Sequence, residues 1–155
     1  MTAESVIAAL VARAETLAVA ESLTGGLLAA TLVDVPGASR AFRGGLIVYA
    51  TDLKASLGQV PANLLADRGP VDPDVAIALA EGVRAACSAD WGVATTGVAG
   101  PTSQDGKPVG TAYVGVAGPD GNSVRALRLD GDRASIRRAT VSEALELLRA
   151  KLNPG

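Results

Sequence analysis

Two short segments of this sequence contain residue types that could carry catalysis, and the first surrounds Ser22. In Ala20–Gly26, Ser22 and Thr24 lie between an apolar run and the glycine pair Gly25 and Gly26. A glycine turn at the start of a helix can present backbone N–H groups to an anion such as phosphate. The alternative is that Ser22 or Thr24 only caps the helix, and that the glycines serve packing.

The second segment runs from Tyr49 to Lys54 and could supply a general base. If Thr51 caps a short helix, Lys54 lies in its first turn, where the helix dipole disfavours a cation. That field, together with burial, would lower the pKa of the lysine and raise its neutral fraction, as a lysine base requires. The alternative is a surface lysine with its ammonium group in water.

Two further segments are candidates for ligand contacts. Thr95–Pro101 forms a loop of small residues, whose amides could make an anion-binding concavity or an oxyanion hole. Such loops also serve as plain connectors. Gly131–Arg133, with Arg137 and Arg138, begins the last helix, and there a helix cap with surface or interface arginines is favoured over substrate contacts.

The amino-acid composition excludes several classes of catalytic site, metal site and binding partner. The 155-residue chain has no histidine, which excludes Ser-His-Asp triads, Cys-His dyads and histidine metal ligands. Its one cysteine, Cys87, cannot form an intrachain disulfide and is expected to be a small buried side chain in a reducing compartment. A net charge of −2 gives no basis for nucleic-acid binding, and no stretch is apolar enough to span a membrane. We therefore expect a cytoplasmic protein with a single domain over residues 1–155, complete from its first residue.

Alternating patterns of apolar residues predict the elements that position these segments. Helices are expected from the cap Thr2 to about Ala14, over 27–32, from Thr51 to Gly58, after Pro61, from the cap Asp72 to about Cys87, and from Asp132 onward. Strands are expected over 16–20, 45–50, 91–96, 111–117 and 123–129, with a hairpin turn at 118–121. The last helix should bury Val141, Leu145, Leu148 and Leu152 and turn residues including Arg137 toward water. This order predicts an α/β fold, a three-layer α/β/α sandwich with a mixed, mostly parallel central sheet.

Taken together, the polar segments resemble the CinA C-terminal domain family, whose stand-alone members are PncC-type nicotinamide mononucleotide deamidases. The resemblance covers essentially the whole chain. It rests on Ala20-Glu21-Ser22-x-Thr24-Gly25-Gly26, Arg43-Gly44-Gly45 leading to Tyr49 and Lys54, Gly69-x-Val71, Thr96-Gly97-Val98-Ala99-Gly100-Pro101, Lys107-Pro108-Val109-Gly110-Thr111, and Gly131-Asp132-Arg133 with Arg137. The resemblance implies one amidohydrolase domain that converts nicotinamide mononucleotide to nicotinate mononucleotide and ammonia without a metal or other cofactor. It also implies a homo-oligomer.

The resemblance places the family's catalytic serine, tyrosine and lysine at Ser22, Tyr49 and Lys54. As a hypothesis, Ser22 attacks the carboxamide carbon, and neutral Lys54 takes its proton directly or through Tyr49. One glycine turn would stabilise the oxyanion and the other would hold the 5′-phosphate, in an order that the sequence leaves open. The residues concerned are Thr24, Gly25 and Gly26 in the first turn and Thr96, Gly97, Ala99 and Gly100 in the second.

Other roles stay open at this point. Glu21 could orient the lysine, bind the ribose hydroxyls or be structural. Ala50 and Thr51 differ from the residues that the family often has before its lysine, so the resemblance defines the reaction type more firmly than the substrate. A hydrolase of some other small amide is one alternative. Another is a nucleotide-binding or regulatory module of the same family whose active-site residues are idle.

Overall fold

The protein contains a five-stranded sheet, and one of its inner strands is buried along its whole length. The strands are β1 (Leu17–Glu21), β2 (Phe42–Ile47), β3 (Trp91–Gly97), β4 (Thr111–Gly118) and β5 (Gly121–Arg128). In the computed structural model, which describes residues 2–153, they follow the spatial order β2-β1-β3-β4-β5. Every residue of β1 is buried, which is typical of a strand covered by helices on both faces.

Strand direction is mixed. β1 pairs in parallel with β2 and with β3, whereas β4 is antiparallel to both β3 and β5. Four of the five strands therefore run in the same direction, and β4 alone opposes them. The hairpin between β4 and β5 turns at residues 119–120, as the sequence predicts.

Helices form the two outer layers. They are α1 (Thr2–Arg13), α2 (Leu27–Val33), α3 (Thr51–Ser56), α4 (Ala62–Arg68), α5 (Pro73–Ala86) and α6 (Arg133–Leu152), with a 3-10 turn at Ala38–Arg40. α1, α2 and α6 cover one face of the sheet, and α3, α4 and α5 cover the other. The predicted three-layer α/β/α sandwich is thus confirmed, and no helix within residues 2–153 is long and apolar enough to span a membrane.

The two faces of the sheet are packed differently. The α6 face uses large side chains such as Leu28, whereas the α5 face of the sheet is lined by small ones such as Ala18. α5 comes so close to β3 that a Cβ at Gly92 would lie 2.1 Å from the Ala80 carbonyl oxygen, so only glycine fits there. Residue 70, just before α5, lies at the carboxyl end of β3, where the Thr96 hydroxyl donates to the Pro70 carbonyl oxygen at 2.6 Å.

Some of the residues predicted to cap helices do so in the structure, and others do not. Asp72 and Asp132 cap α5 and α6, because each carboxylate accepts backbone N–H groups of the first turn. The predictions for Thr2 and Thr51 are wrong. Thr2 is itself helical, and its hydroxyl donates to Glu146 instead. Thr51 is the first residue of α3, and the preceding residue caps that helix with no side-chain hydrogen bond.

The strand predicted over 45–50 lies three residues earlier, as β2. Its register is set by β1, since Leu17 pairs with Phe42 and Glu21 with Ile47. The Val48 N–H still donates to Glu21 O of β1 at 2.9 Å, but the carbonyl groups of Val48 and Tyr49 accept hydrogen bonds from a side chain rather than from a neighbouring strand. Periodicity alone does not reveal this change of partner.

Cys87 also differs from its prediction. It lies at the end of α5, is only half-buried, and is a free thiol packed at the margin of the α5 core.

Candidate active site

Three parallel strands bring their carboxyl ends to one edge of the sheet, and a cavity lies there. Ser22 directly follows β1, Tyr49 lies two residues beyond β2, and Val98 directly follows β3. In α/β sheets, ligands bind in crevices at this edge. The cavity has a volume of about 280 Å³. It is lined by Ser22, Leu23, Tyr49, Thr51, Lys54, Pro70, Val71, Thr96, Gly97, Val98, Ala99, Gly100, Thr102, Ser103, Gln104 and Arg133.

Lys54 and Ser22 meet inside this cavity. The Nζ atom of Lys54 lies 3.0 Å from Ser22 Oγ, 2.8 Å from the Val48 carbonyl oxygen and 3.1 Å from the Tyr49 carbonyl oxygen. A neutral amine has two N–H donors and one lone pair. With the two carbonyl groups as acceptors, the lone pair is left for the Ser22 hydroxyl proton, which is the geometry a general base needs.

Burial of Lys54 favours that neutral form. The side chain is only 1% exposed, and no Asp or Glu within residues 2–153 forms an ion pair with it. Desolvation lowers the pKa of Lys54 from 10.5 to about 8. The dipole of α3 that the sequence suggested as a cause is not needed, because α3 has only six residues and burial accounts for the direction of the shift.

The turn that carries Ser22 is held from several sides. Thr95 Oγ1 lies 2.8 Å from Thr24 Oγ1 and accepts the Ser22 N–H at 3.3 Å. From α6, Arg137 donates to the carbonyl oxygens of Leu23 at 2.8 Å and Thr24 at 3.0 Å. Arg137 is therefore half-buried and turned toward this loop, so the prediction that it faces water is wrong.

Glu21 has a structural role in this arrangement. Its carboxylate is 1% exposed and accepts the N–H groups of Leu28 at 2.8 Å and Ala29 at 2.9 Å, at the start of α2. The Gly25 N–H donates to Ser22 O, and the Leu27 N–H donates to Thr24 O. The N–H groups at the start of α2 are thus already bonded within the protein, which leaves none of these four for a phosphate.

Tyr49 and Arg133 form the outer part of the cavity. Arg133 donates to the Gly100 carbonyl oxygen and, at 2.9 Å, to the Tyr49 hydroxyl. Tyr49 is 59% exposed and reaches Lys54 through its main-chain carbonyl group, while its hydroxyl faces the arginine. Arg133 is exposed, as predicted, but it also lines the cavity, whereas Arg138 is exposed, lies outside the cavity wall and makes only a 3.5 Å contact to Ser135.

The structure separates the predicted site residues into two groups. Those in the cavity wall are Ser22, Tyr49, Lys54, Thr96, Gly97, Ala99 and Gly100. Those outside the wall are Glu21, Thr24, Gly25 and Gly26, which build the turn behind Ser22. The sequence analysis assigned no role in the site to Thr95, Arg133 or Arg137, although all three fall within segments that it identified as candidates for ligand contacts.

The charge of the cavity points to an anionic ligand. Its wall contains two basic side chains, Lys54 and Arg133, and no acidic one. Within residues 2–153 no group of three or more histidine, cysteine, aspartate or glutamate side chains is placed to hold a metal ion. Thr102 and Ser103, which carry hydroxyl groups, also line the cavity.

Comparison with known proteins agrees with this architecture. Residues 1–152 match the family described as CinA C-terminal domain. A CinA-like protein of Frankia casuarinae is 56% identical over 147 residues, covering 95% of this chain and 34% of that protein. One from Anaeromyxobacter sp. is 49% identical over 148 residues, covering 95% and 36%. This chain therefore spans about a third of the length of these curated relatives.

Solved structures show the same fold. A competence-damaged protein (CinA) superfamily protein from Klebsiella pneumoniae superposes with a TM-score of 0.95 at 29% identity, covering 99% of this chain and 97% of that chain. The competence/damage inducible protein CihA from Agrobacterium tumefaciens superposes with a TM-score of 0.88 at 31% identity, covering 99% and 96%.

Proposed function

This chain belongs to the CinA C-terminal domain family, and from that premise and the site geometry we propose that it hydrolyses the carboxamide of nicotinamide mononucleotide. The products are nicotinate mononucleotide and ammonia. The observation that carries the proposal is the 3.0 Å contact between the buried Lys54 amine and the Ser22 hydroxyl. A serine hydroxyl is a weak nucleophile, and in a chain without histidine this amine is placed to activate it.

The proposed reaction has two halves. Ser22 Oγ forms a bond to the carboxamide carbon while Lys54 Nζ takes the hydroxyl proton and the carbonyl oxygen becomes an oxyanion. The C–N bond then breaks, and the departing amine takes the proton from Lys54 and leaves as ammonia. Water attacks the acyl-serine with Lys54 again as the base, which yields the carboxylic acid and restores Ser22.

Tyr49 has a different role from the proton relay first considered. Lys54 Nζ contacts Ser22 Oγ directly, so no intermediate hydroxyl is required. The Tyr49 hydroxyl instead accepts a hydrogen bond from Arg133 at the outer wall. We assign Tyr49 two tasks, namely binding the Lys54 amine through its main-chain carbonyl group and forming part of the surface that contacts the substrate.

Arg133 is the group best placed to receive the 5′-phosphate. Its guanidinium has five N–H donors in a planar fork, and two protein acceptors, Gly100 O and Tyr49 Oη, leave capacity for an anion. The N–H groups at the start of α2 are occupied by Glu21 and by the turn itself. The phosphate is therefore assigned to the side of the cavity formed by Arg133 and the loop after β3, and the oxyanion to the side of the Ser22 turn.

The decisive experiment measures ammonia release from nicotinamide mononucleotide by the purified protein and by Ser22→Ala. Ser39→Ala is the matched control, because Ser39 is exposed and lies outside the cavity wall. We expect turnover by the unmodified protein and by Ser39→Ala, and loss of at least about 1,000-fold in Ser22→Ala. Full turnover by Ser22→Ala would show that the mechanism is wrong.

Two further substrates test the alternatives. Nicotinamide riboside lacks the phosphate, so it should be hydrolysed with a much higher KM if Arg133 recognises that group. A panel of other pyridine and aliphatic amides tests for a different amidase. Calorimetric binding of the mononucleotide with no ammonia release would contradict the hydrolase and favour the idle nucleotide-binding module.

A further inference from the structure

Arg137 reaches the serine turn from the opposite layer of the molecule. It lies in the second turn of α6, more than 110 residues from Ser22 in the chain, and it is not part of the cavity wall. Its Nε donates to Leu23 O at 2.8 Å and its Nη2 donates to Thr24 O at 3.0 Å. Two parallel bonds from one planar guanidinium fix the orientation of two consecutive peptide groups.

These bonds determine where the adjoining N–H groups point. In a planar trans peptide the C=O and N–H bonds point in opposite directions, so the Thr24 N–H points away from Arg137 when Leu23 O is bound to it. The Gly25 N–H donates back to Ser22 O. Within residues 2–153, the N–H groups of Leu23 and Thr24 have no acceptor. Two uncommitted amides thus directly follow the serine.

We propose that Arg137 is a positioning residue that holds the Thr24 N–H as an oxyanion donor for the reaction at Ser22, beside the free Leu23 N–H. This inference rests on the proposed function, because an oxyanion forms only if Ser22 attacks a carbonyl carbon. Arg137 touches neither substrate nor Ser22 Oγ, and it acts through the peptide between Leu23 and Thr24.

The positive charge of Arg137 also strengthens the N–H donor of the peptide that it orients. A charged donor bonded to a peptide oxygen polarises that peptide, which makes its N–H a stronger donor to a developing negative charge. A hydrogen bond to the ground-state carbonyl group gains less than one to the oxyanion. Arg137 should therefore affect kcat more than KM.

Thr95 supports the same turn from the sheet. Its hydroxyl bonds to Thr24 Oγ1 and accepts the Ser22 N–H, and both threonine side chains are fully buried. The turn is thereby fixed by β3 from one side and by α6 from the other. Removal of Arg137 leaves the Thr95 contacts in place, so we expect the fold of the turn to persist while its peptide orientations loosen.

The test compares Arg137→Lys and Arg137→Ala with Arg138→Ala. Lysine keeps the charge but cannot make the paired bonds, and Arg138 is an exposed neighbour on the same helix. We expect kcat for ammonia release to fall by about 10-fold to 100-fold in both Arg137 variants, below the loss from deleting a whole donor. KM and the dissociation constant of nicotinate mononucleotide should change by less than about threefold, and Arg138→Ala should match the unmodified protein. Added guanidinium ion should restore part of the activity of Arg137→Ala.

The outcomes separate the two proposals. No ammonia release by the unmodified protein would overturn the proposed function and this inference with it. Normal turnover by the unmodified protein and kcat within threefold in both Arg137 variants would overturn the inference alone. An equal loss of product binding and kcat, with a lowered Tm and no rescue by guanidinium ion, would also overturn it, because those changes indicate a purely structural residue.

Discussion

Glu21 and Lys54 are both buried, ionisable and close to Ser22, yet their surroundings are opposite in kind. Each is about 1% exposed. The two oxygens of Glu21 accept two backbone N–H groups of α2, which satisfy a carboxylate. The Lys54 amine meets two carbonyl oxygens and one hydroxyl with no acidic partner, and burial lowers its pKa to about 8. Burial alone therefore does not distinguish the structural carboxylate of Glu21 from the base proposed at Lys54, and the hydrogen-bond partners do.

The strongest test of this contrast is Lys54→Met, which keeps most of the side-chain volume and removes the amine. We expect ammonia release to fall by about 1,000-fold, within the range for loss of a general base. The free energy of unfolding at pH 7 should rise by about 1–3 kcal/mol, because a costly buried ammonium is removed together with its hydrogen bonds. Activity assays and urea unfolding measure the two effects, and Lys151→Met, at an exposed site, is the control. Activity within tenfold of the unmodified protein would contradict the role of Lys54.

The pH dependence of stability should isolate the same amine. The folded protein binds the Lys54 proton less tightly than the unfolded chain does. The contribution of Lys54 therefore makes the free energy of unfolding increase as the pH rises from about 8 to 10.5. The full difference is about 3 kcal/mol, and below pH 8 the destabilisation is fully present. The free energies of unfolding of the unmodified protein and of Lys54→Met, measured with urea across this range, should therefore converge as the pH increases.

Activity should follow the same titration. Since the neutral amine of Lys54 is the proposed base, kcat/KM should increase with pH and level off above about pH 8. A flat kcat/KM between pH 6.5 and 9 would be inconsistent with a lysine base at this position.

Glu21→Gln should give the opposite result to Lys54→Met. The amide can accept only at one oxygen, so one of the bonds to α2 is lost and a charge-assisted bond becomes a neutral one. We expect the free energy of unfolding to fall by about 1–3 kcal/mol while kcat stays within about fivefold. Thermal or urea unfolding measures the first quantity. A large loss of kcat without a loss of stability would contradict a purely structural role for Glu21.

Arg133→Gln should give the smallest effect, since this charge is exposed and lies at the cavity mouth. We expect KM for nicotinamide mononucleotide to rise by about 10-fold, which corresponds to about 1.4 kcal/mol, with little change in kcat. KM for nicotinamide riboside should be nearly unchanged, because it has no phosphate to lose. Equal increases for both substrates would show that Arg133 does not recognise the phosphate.

Local signals in the sequence predicted the elements well. Asp72 followed by proline and Asp132 both mark helix starts, because a cap needs only its own side chain and the next few amides. Thr51 failed as a cap because α3 begins directly at that residue. β2 was misplaced by three residues, since its pairing with β1 runs from Phe42 to Ile47 and the next two carbonyl groups bind the Lys54 amine instead.

The roles of the arginines could not be predicted in this way. Helical periodicity shows which residues of α6 enter the core, but not which loop the others meet. Arg133 and Arg137 reach loops that lie more than 30 and more than 110 residues away in the chain. The segment Gly131–Arg133 in the family resemblance was the available signal that this helix start does more than cap itself.

The sequence by itself determined which chemistry was available. Without histidine, and with Ser22 and Lys54 in segments of family-like pattern, it restricted the plausible bases to a few residue types. Only the tertiary structure decided that the amine lies 3.0 Å from the hydroxyl, away from water and acidic groups. Periodicity and capping depend on near neighbours in the chain, whereas desolvation depends on everything that packs around a side chain, and it is desolvation that lowers the pKa of Lys54.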